Sequence, residues 1–475
     1  MNCVVICCDT FRHDMVGHPV VRTPNIDRLV AEGITFTHAY AEGLPTIQAR
    51  RTCFTGKRSF PWRFEMGSRG LNPPIPGWHR IPDEQMTLSE LLYENAVITG
   101  LVADTYHMFK PTQNFTRGFC SWAFLRGQEG DPVRSGPLSA VDVSPYHPEG
   151  LNDLTRWPTL TQYLLNMLDR HGEEDYLTPR VFRQACRWLD ENRDNDPWFL
   201  WVDSFAPHER WDPPTEFADA YYTTDASRDY IQPQLLNGTD PTEAEIKRTR
   251  ALYYGYVTFV DKWVGTLLDK LEQMGRFEDT AVIFTSDHGT ELWDKGRFGK
   301  GGDRLYRYNT GIPLVVRLPG GRRGGTACED LVQHQDLFPT ICRLMGVDAP
   351  AELHLDGRDI LHADDEAPRK VITAWHGNVG VRSTAWNLVI DSTGSGERRE
   401  LYDLAADPDE THNVFAAHPD IVAEHTAFLE ATCGPLPYEI RHVGDKRQSP
   451  PLGFVQRLAG APAAAETSRK ANSEY

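Results

Sequence analysis

The chain has 475 residues, with 67 acidic and 49 basic side chains and a formal net charge of -18 at pH 7. This charge argues against broad binding to nucleic acid or anionic membranes, although a few local cations can still bind an anionic substrate. The length predicts one large α/β domain with a smaller one. No apolar run is long enough to span a bilayer. The start lacks signal-peptide features and the nine cysteines show no regular spacing, so we expect a cytoplasmic protein with reduced thiols.

Apolar strands alternate with helices through the first three quarters of the chain. The uniformly apolar stretch 4–8 predicts a strand buried on both faces of a sheet. Residues 110–155 lack clear periodicity and are interpreted as a long loop region. The alternation predicts an α/β fold with a large, mostly parallel mixed sheet between helices. The other predicted strands are 34–37, 97–102, 198–203, 281–286 and 313–318, and the predicted helices are 23–33, 87–96, 178–192, 243–274 and 336–345.

The pattern changes after about residue 365, where short alternating stretches precede one helix. Stretches at 371–374, 381–382, 386–391 and 401–404, with a helix at 421–431, predict a small antiparallel sheet and a packed helix. We therefore expect a catalytic α/β domain (1–365), a C-terminal α+β subdomain (366–435) and a tail (436–475). The tail is rich in Pro, Ala and Ser. It is interpreted as a disordered segment or as an arm over a neighbouring subunit, which would make the protein a homo-oligomer.

The stretch 44–56 predicts an extended segment that turns into a helix, with Thr46 at the N-cap. Free backbone N–H groups and the positive end of the helix dipole favour an anion there. Arg50 lies one helical turn later on the same face. A hydroxyl in such a field is a candidate nucleophile for a tetrahedral anionic ester. An isolated Thr-x-x-x-Arg is more often a plain capping residue, so the rest of the chain must decide between the two interpretations.

Two predicted strands end in residues that bind metals. Asp9 follows the first buried strand, and Asp287 and His288 follow a later one within a Ser-Asp-His-Gly tetrad. Open α/β sheets bind ligands at the carboxyl ends of their strands. Two carboxylates, an imidazole and the Thr46 hydroxyl can hold one divalent metal ion, which would polarise an ester oxygen. Taken singly, a strand-end Asp usually caps a turn, and a lone His is usually only hydrogen-bonded.

Three further side chains are candidates for handling the charge of an ester. Lys300 stands between glycines, which let a cation approach an oxyanion closely, although Gly-Lys-Gly can also be only a turn. His208 lies in a loop after a strand, where it could protonate a leaving alkoxide or bind a non-bridging oxygen. His107, shortly after another strand, is a weaker candidate of the same kind.

Several ordered motifs together resemble one known family. They are Asp-Thr-x-Arg at 9–12, Thr-Pro-Asn-x-Asp-Arg-Leu at 23–29, Thr-Gly at 55–56, Pro-His-Glu at 207–209, Ser-Asp-His-Gly at 286–289, Gly-Lys-Gly around Lys300, Glu-Leu-Tyr-Asp-Leu at 400–404 and Asp-Pro at 407–408. Over nearly all of its length the chain resembles the sulfatase family of the alkaline phosphatase superfamily. This resemblance implies a metal-dependent ester hydrolase with a two-part α/β fold.

The chain departs from the family pattern at the nucleophile. Sulfatases of the family carry Cys or Ser in Cys/Ser-x-Pro-x-Arg, and this residue is converted to formylglycine. Here Thr46 occupies that position and cannot be the aldehyde precursor, while Gln48 replaces the proline. Thr10 replaces the second of the family's paired acids. The pair Asp287–His288 resembles the phosphonate monoester hydrolases and phosphodiesterases, whereas sulfatases commonly carry Asp-Asn.

The chemistry of a Thr nucleophile favours phosphorus esters. A formylglycine hydrate expels sulfate by collapsing to the aldehyde, whereas a Thr ester must be displaced in line, as phosphoryl groups are. We therefore expect a hydrolase of phosphodiesters or phosphonate monoesters, acting on a small anionic substrate without nucleic acid or membrane partners. Thr46 would attack, Arg50 and Lys300 would stabilise the transition state, and His208 would assist the leaving group.

The imidazole ligand favours Mn²⁺ or Zn²⁺ over Ca²⁺, which prefers oxygen ligands. Three alternatives stay open at this point. The first is a sulfatase that works without formylglycine. The second is a transferase that passes the covalent group to an alcohol. The third is a metal-binding homologue without catalytic activity.

Overall fold

The computed structural model describes residues 1–62, 66–67, 75–110, 112–224, 228–362, 369–439 and 442–443. The strands are β1 (Asn2–Cys8), β2 (Ile34–Tyr40), β3 (Met66–Gly67), β4 (Ile98–Ala103), β5 (Ser121–Phe124), β6 (Trp198–Ser204), β7 (Thr280–Ser286), β8 (Glu291–Leu292), β9 (Phe298–Gly299), β10 (Leu314–Arg317), β11 (Thr326–Gln333), β12 (Val371–Trp375), β13 (Asn378–Arg382), β14 (Trp386–Asp391), β15 (Arg399–Asp403) and β16 (His442–Val443). The α-helices are α1 (Pro24–Glu32), α2 (Thr46–Thr55), α3 (Leu88–Glu94), α4 (Pro158–Asn166), α5 (Leu177–Glu191), α6 (Thr215–Asp219), α7 (Glu243–Gln273), α8 (Arg307–Thr310), α9 (Leu337–Met345) and α10 (Pro419–Cys433).

Eight strands form the central sheet in the order β11-β2-β10-β7-β1-β6-β4-β5. Strand β1 pairs in parallel with both β6 and β7. Strand β10 runs antiparallel to both of its neighbours, β7 and β2. The fold is therefore a mostly parallel mixed sheet between helices, and the predicted fold class is confirmed.

Among the strands of this sheet, the two edge strands are the ones that the sequence pattern did not reveal. Residues 110–155 were expected to be a loop region, but β5 lies within them and pairs in parallel with β4. Strand β11 begins with mostly exposed residues and becomes buried only from Leu331 onwards. Both strands lack the continuous apolar character of the central strands because each has a neighbour on one side only.

Helices cover both faces of the central sheet. Along β1, Val4 and Ile6 join the core on the side of α1, α5 and α7. Cys3 and Val5 join the core on the side of α2, α3 and α9. Because both faces are buried, the central strands are mostly apolar, and acidic side chains appear only where these strands end.

A second, antiparallel sheet has the order β12-β13-β14-β15, and α10 packs against its apolar face. It meets the central fold just before α2, where Leu44 N donates to Ala374 O over 2.9 Å and Ala374 N donates to Glu42 O over 2.8 Å. The predicted boundary at residue 365 and most of the predicted tail lie outside the described residues. None of the described helices has the length and hydropathy needed to cross a membrane.

Candidate metal centre and active site

Three carboxylates meet where the three central strands end. Asp9 follows β1, Asp203 lies near the end of β6, and Asp287 follows β7. Because β1 lies between the other two strands and runs parallel to both, their carboxyl ends coincide. All three side chains are buried. Asp203 was not predicted as a site residue, although it shares with Asp9 the signal of an acid at the end of a buried apolar strand.

Arg50 binds all three carboxylates from α2. Its Nη1 lies 2.6 Å from Asp287 Oδ2 and 3.0 Å from Asp9 Oδ2. Its Nε and Nη2 donate to the two oxygens of Asp203, each over 2.9 Å. We call these four buried side chains the carboxylate floor. The floor holds three acids and one guanidinium, so its ionised form carries an excess of negative charge.

Two acids of this floor and the adjacent His288 supply donor atoms that fit a divalent cation. Ligand atoms of Asp9, Asp287 and His288 lie within 4.8 Å of one another. Apart from the ion pair between Asp9 Oδ2 and Arg50, both carboxylate oxygens of Asp9 and Nε2 of His288 are buried without a hydrogen-bond partner among the described residues. His288 Nδ1 lies 2.8 Å from Gly289 O, so Nδ1 carries the proton and Nε2 presents a lone pair. Burial lowers the pKa of His288 to about 4 despite the nearby Asp287, so the imidazole is neutral at pH 7.

The pKa values of Asp9 and Asp287 reflect the burial and closeness of these two acids. Burial, followed by repulsion from Asp287, raises the pKa of Asp9 well above its usual range, although Arg50 opposes this shift. Burial also acts to raise the pKa of Asp287, but His288 and Arg50 outweigh it and hold the pKa below its usual range. A divalent cation beside both groups would favour their ionised forms.

Thr46 is the first residue of α2, and the prediction that it is the N-cap is wrong. The N-cap is Pro45, whose backbone is not helical and whose carbonyl accepts the first helical hydrogen bond, from Ala49 N over 3.2 Å. The interpretation of Thr46 as a plain capping residue therefore fails as well. Thr46 is buried at the positive end of the helix dipole, and its carbonyl accepts from Arg50 Nη1 over 3.3 Å.

A second cluster consists of His208, Glu209 and Lys300, and we call it the lysine cluster. Lys300 Nζ lies 2.9 Å from His208 Nε2 and 2.7 Å from Glu209 Oε2. An ammonium group can only donate, so His208 Nε2 accepts, and Nδ1 donates to Glu209 O over 2.6 Å. Burial, reinforced by the charge of Lys300, lowers the pKa of His208 to about 3. His208 is thus neutral at pH 7 with both nitrogens engaged.

The loop that carries Lys300 is held in place by its glycine and by neighbouring side chains. Gly299 has φ +83°, a conformation that favours glycine, and a Cβ there would lie 2.6 Å from Gln234 Nε2. The same Gln234 nitrogen donates to Glu209 Oε1 over 2.7 Å. This packing joins the Lys300 loop to the loop that carries His208.

His107 lies close to the lysine cluster. The ring of Phe205 stacks on His208 with centroids 4.2 Å apart, and its centroid is 6.1 Å from that of His107. His107 Nε2 lies 3.2 Å from Glu129 Oε2. Glu129 was not singled out from the sequence. The predicted functions of His107, His208, Lys300 and Arg50 stay predictions, but the structure brings all four to one end of the sheet.

Thr10 stands where the family that the chain resembles carries a second acid. Its φ of 54° is unusual for a β-branched residue. This conformation lets Thr10 N donate to Asp287 Oδ1 over 2.9 Å. Its hydroxyl is buried without a hydrogen-bond partner among the described residues, so Thr10 contributes no charge to the floor.

The fold and the site are those of an α/β protein with a candidate divalent-cation site at the carboxyl edge of a mostly parallel sheet. A family model described as "Sulfatase" matches residues 1–347. A second model, described as "N-sulphoglucosamine sulphohydrolase, C-terminal", matches residues 295–427. The chain belongs to the sulfatase family of the alkaline phosphatase superfamily and is a hydrolase of that family, whose members depend on a divalent metal ion.

Relatives with different names match most of the chain. The "Multifunctional alkaline phosphatase superfamily protein PehA" of Trinickia caryophylli is 25% identical over 416 residues, which is 76% of each chain. Human "Arylsulfatase K" is 23% identical over 461 residues, covering 88% of this chain and 80% of the relative. The solved phosphonate monoester hydrolase of Agrobacterium radiobacter superposes with a TM-score of 0.67 at 22% identity, covering 91% of this chain and 94% of that one.

Proposed function

We propose that the protein hydrolyses phosphodiesters or phosphonate monoesters through a covalent intermediate on Thr46. The observation that carries this proposal is the unmodified hydroxyl residue at the start of α2, one turn from Arg50 and next to the carboxylate floor. A threonine cannot become formylglycine. The family's route of releasing sulfate by collapse to an aldehyde is therefore closed to this chain.

The donor set supports the same reading. Asp9, Asp287, His288 and the Thr46 hydroxyl would hold one divalent ion, which we expect to be Mn²⁺ or Zn²⁺ because imidazole nitrogen suits them better than Ca²⁺. When bound, the ion supplies positive charge that acidifies a hydroxyl and polarises an ester oxygen. The names of PehA and of the Agrobacterium enzyme agree with phosphorus chemistry in this family.

The residues of the chain divide the reaction as follows. The Thr46 oxygen attacks phosphorus, the ester bond to the leaving oxygen breaks, and a phosphorylated or phosphonylated Thr46 forms. Water then attacks the same phosphorus atom, and the bond to Thr46 breaks. Arg50 holds the three carboxylates of the floor in place and neutralises part of their negative charge. Lys300, fixed by Glu209, offers a cation to the oxygens of the ester.

A substrate panel with two Thr46 variants tests this proposal. Nitrophenyl esters of phosphate, a phosphodiester, a phosphonate and sulfate are compared at equal concentration with Mn²⁺ or Zn²⁺ present. We expect a diester or phosphonate to be turned over fastest, and Thr46→Val to lose at least about 10³-fold in kcat. Thr46→Ser keeps a hydroxyl and is the matched control that should retain measurable activity.

The covalent adduct gives an independent readout. Acid-quenched wild-type protein, examined by peptide mass spectrometry, should carry a phosphoryl or phosphonyl group on the peptide that contains Thr46. Sulfate turnover faster than that of every phosphorus ester would overturn the proposal. So would full activity in Thr46→Val.

A sulfatase activity is the second candidate function. It is favoured by the resemblance to arylsulfatase K and by the match of residues 295–427 to a sulphohydrolase C-terminal model. In this case Thr46 would form a sulfate ester, which must be displaced at sulfur. The same panel separates the two functions, because the sulfatase reading requires the sulfate ester to be the best substrate.

A further inference from the structure

Glu129 makes two hydrogen bonds near the proposed site. Its Oε2 accepts from Tyr106 OH over 2.8 Å and pairs with His107 Nε2 over 3.2 Å. The His107 and Glu129 side chains are 13% and 14% exposed, so both are largely shielded from water. An ionised carboxylate can only accept, so this contact places the imidazole proton on Nε2. Nδ1 of His107 forms no hydrogen bond with the part of the chain that the structure describes.

The surroundings of His107 combine rings and charges from several elements. Trp78 meets its ring edge-on with centroids 4.9 Å apart, and Tyr106 lies 4.0 Å away. Burial lowers the pKa of His107, Glu129 opposes this shift, and the charges of Lys110 and Arg50 add to it. Arg210 and, when protonated, His208 of the lysine cluster also act electrostatically on Glu129. Burial acts to raise its pKa, but hydrogen bonding and charge from His107 hold it well below its usual range.

The two histidines at this end of the sheet differ in what they can do. His208 uses Nε2 to accept from Lys300 and Nδ1 to donate to a carbonyl. It can neither take nor give a proton without breaking the lysine cluster. His107 has one nitrogen committed to Glu129 and the other open. A carboxylate behind a neutral imidazole raises its basicity and stabilises the imidazolium that forms when it takes a proton.

We propose that Glu129 is a positioning residue that holds His107 in the Nε2–H tautomer, so that Nδ1 serves as the proton acceptor of the ester-hydrolysing site. This inference rests on the proposed function. His107 Nδ1 takes the proton of the attacking hydroxyl, from Thr46 or from water, as its oxygen bonds to phosphorus. It returns that proton to the departing oxygen when the other P–O bond has broken, so neither protons nor electrons accumulate.

The pH dependence of kcat/KM tests the charge of Glu129. Glu129→Gln keeps an oxygen that accepts from His107 but removes the charge, so the pKa of His107 should fall further. We expect a loss of about 10-fold or more in kcat. The acidic limb of kcat/KM should move to lower pH by about one unit. Tyr106→Phe removes the other bond to Glu129 without removing its charge and is the matched control, expected to keep the wild-type limb.

Glu129→Asp keeps the charge on a shorter side chain, so it should recover part of the activity and the wild-type limb. If Glu129→Gln does not fold, the proton position on the His107 ring of the wild-type protein, measured by nitrogen NMR, still tests the proposal. If Glu129 had only a structural function, Glu129→Gln would lower the yield of folded protein and leave the acidic limb of kcat/KM unmoved. An unmoved limb in a folded Glu129→Gln variant would overturn the proposal.

Nitrogen NMR of histidine-labelled protein separates this inference from the proposed function, because it needs no turnover. The His107 signals, assigned by their loss in His107→Gln, should show a protonated Nε2 and an unprotonated Nδ1 at pH 7. Their titration midpoint should fall in Glu129→Gln and stay in Tyr106→Phe. A protonated Nδ1 would sink the inference even if phosphorus esters are hydrolysed. Absence of ester turnover would sink the proposed function and leave the tautomer measurable.

Discussion

The carboxylate floor and the lysine cluster lie at the same end of the sheet but are built in different ways. The three carboxylates of the floor stand on adjacent strand ends and its Arg50 stands on α2, and all four side chains are fully buried. The lysine cluster stands on loops, and Lys300 keeps 12% of its side chain exposed. The floor is therefore positioned by backbone pairing, whereas the cluster depends on side-chain bonds between loops.

The two regions also differ in charge. The floor carries three carboxylates against one guanidinium, whereas the cluster carries one lysine against one glutamate and a neutral histidine. Neither region alone favours an anionic ester, because the first repels it and the second is balanced. A divalent cation on the floor reverses this, since it brings two positive charges to the carboxylates. We therefore expect a bound divalent cation to strengthen the binding of an anionic ester.

The largest expected effect comes from removing a carboxylate of the floor that would bind the metal ion. Asp287→Asn should lose about 10³-fold or more in activity, together with measurable Mn²⁺ binding by titration calorimetry, because an amide is a poor substitute for a carboxylate ligand. Asp356→Asn, on a partly exposed residue paired with Arg58, is the control and should bind the ion as wild type does. Unchanged Mn²⁺ affinity in Asp287→Asn would mean that the floor is not the metal site.

Removal of the floor's only cation should cost stability. Arg50→Met leaves the three buried carboxylates of the floor without their shared cation, and we expect the free energy of unfolding to fall by about 3–5 kcal/mol. Added Mn²⁺ should recover part of this loss in urea denaturation. Arg187→Met, on an exposed arginine of α5, should change stability by less than about 0.5 kcal/mol. Equal stability of the Arg50 and Arg187 variants would contradict the charge balance described above.

A smaller effect is expected when the lysine cluster loses its cation. Lys300→Met should lower kcat/KM by about 100-fold, since an anionic ester loses a positive partner, while Mn²⁺ affinity falls little. Lys295→Met, five residues earlier in the chain, removes a lysine that binds Glu410 O outside the cluster and should leave turnover near wild type. If Lys300→Met abolishes Mn²⁺ binding, the two regions are not separable in the way proposed.

The smallest expected effect is the loss of folding stability at acidic pH. Burial is the main cause that lowers the pKa of His13, His79 and His208 to about 3, against an unfolded value near 6.5. Below pH 6.5 the unfolded chain binds protons that the folded chain does not, so stability is full above pH 6.5 and falls towards pH 3. Each of these histidines lowers the free energy of unfolding by up to about 1.4 kcal/mol for each pH unit below pH 6.5. The free energy of unfolding, measured by denaturation at several pH values from 7 to 5, should depend less steeply on pH in His208→Gln than in the wild-type protein.

Much of the floor could be predicted because its signals are local. Asp9 and Asp287 of the floor, and the adjacent His288, follow buried and mostly apolar strands, and parallel strands place their ends at one edge. Asp203 carries the same signal but was not singled out. Its importance comes from Arg50, which is 153 positions away along the chain. The N-cap was misplaced by one residue because the carbonyl that accepts the first helical bond, and not the polar side chain, defines the cap.

The amino-acid sequence by itself determined the family, the alternation of strands and helices, and the identity of the candidate nucleophile and of three candidate metal ligands. These features depend on apolar periodicity and on short motifs. Only the tertiary structure decided that Arg50 binds three acids, that both nitrogens of His208 are engaged, and that Glu129 stands behind His107. These are contacts between loops and strand ends that lie far apart along the chain, and no local pattern encodes which side chain will face which.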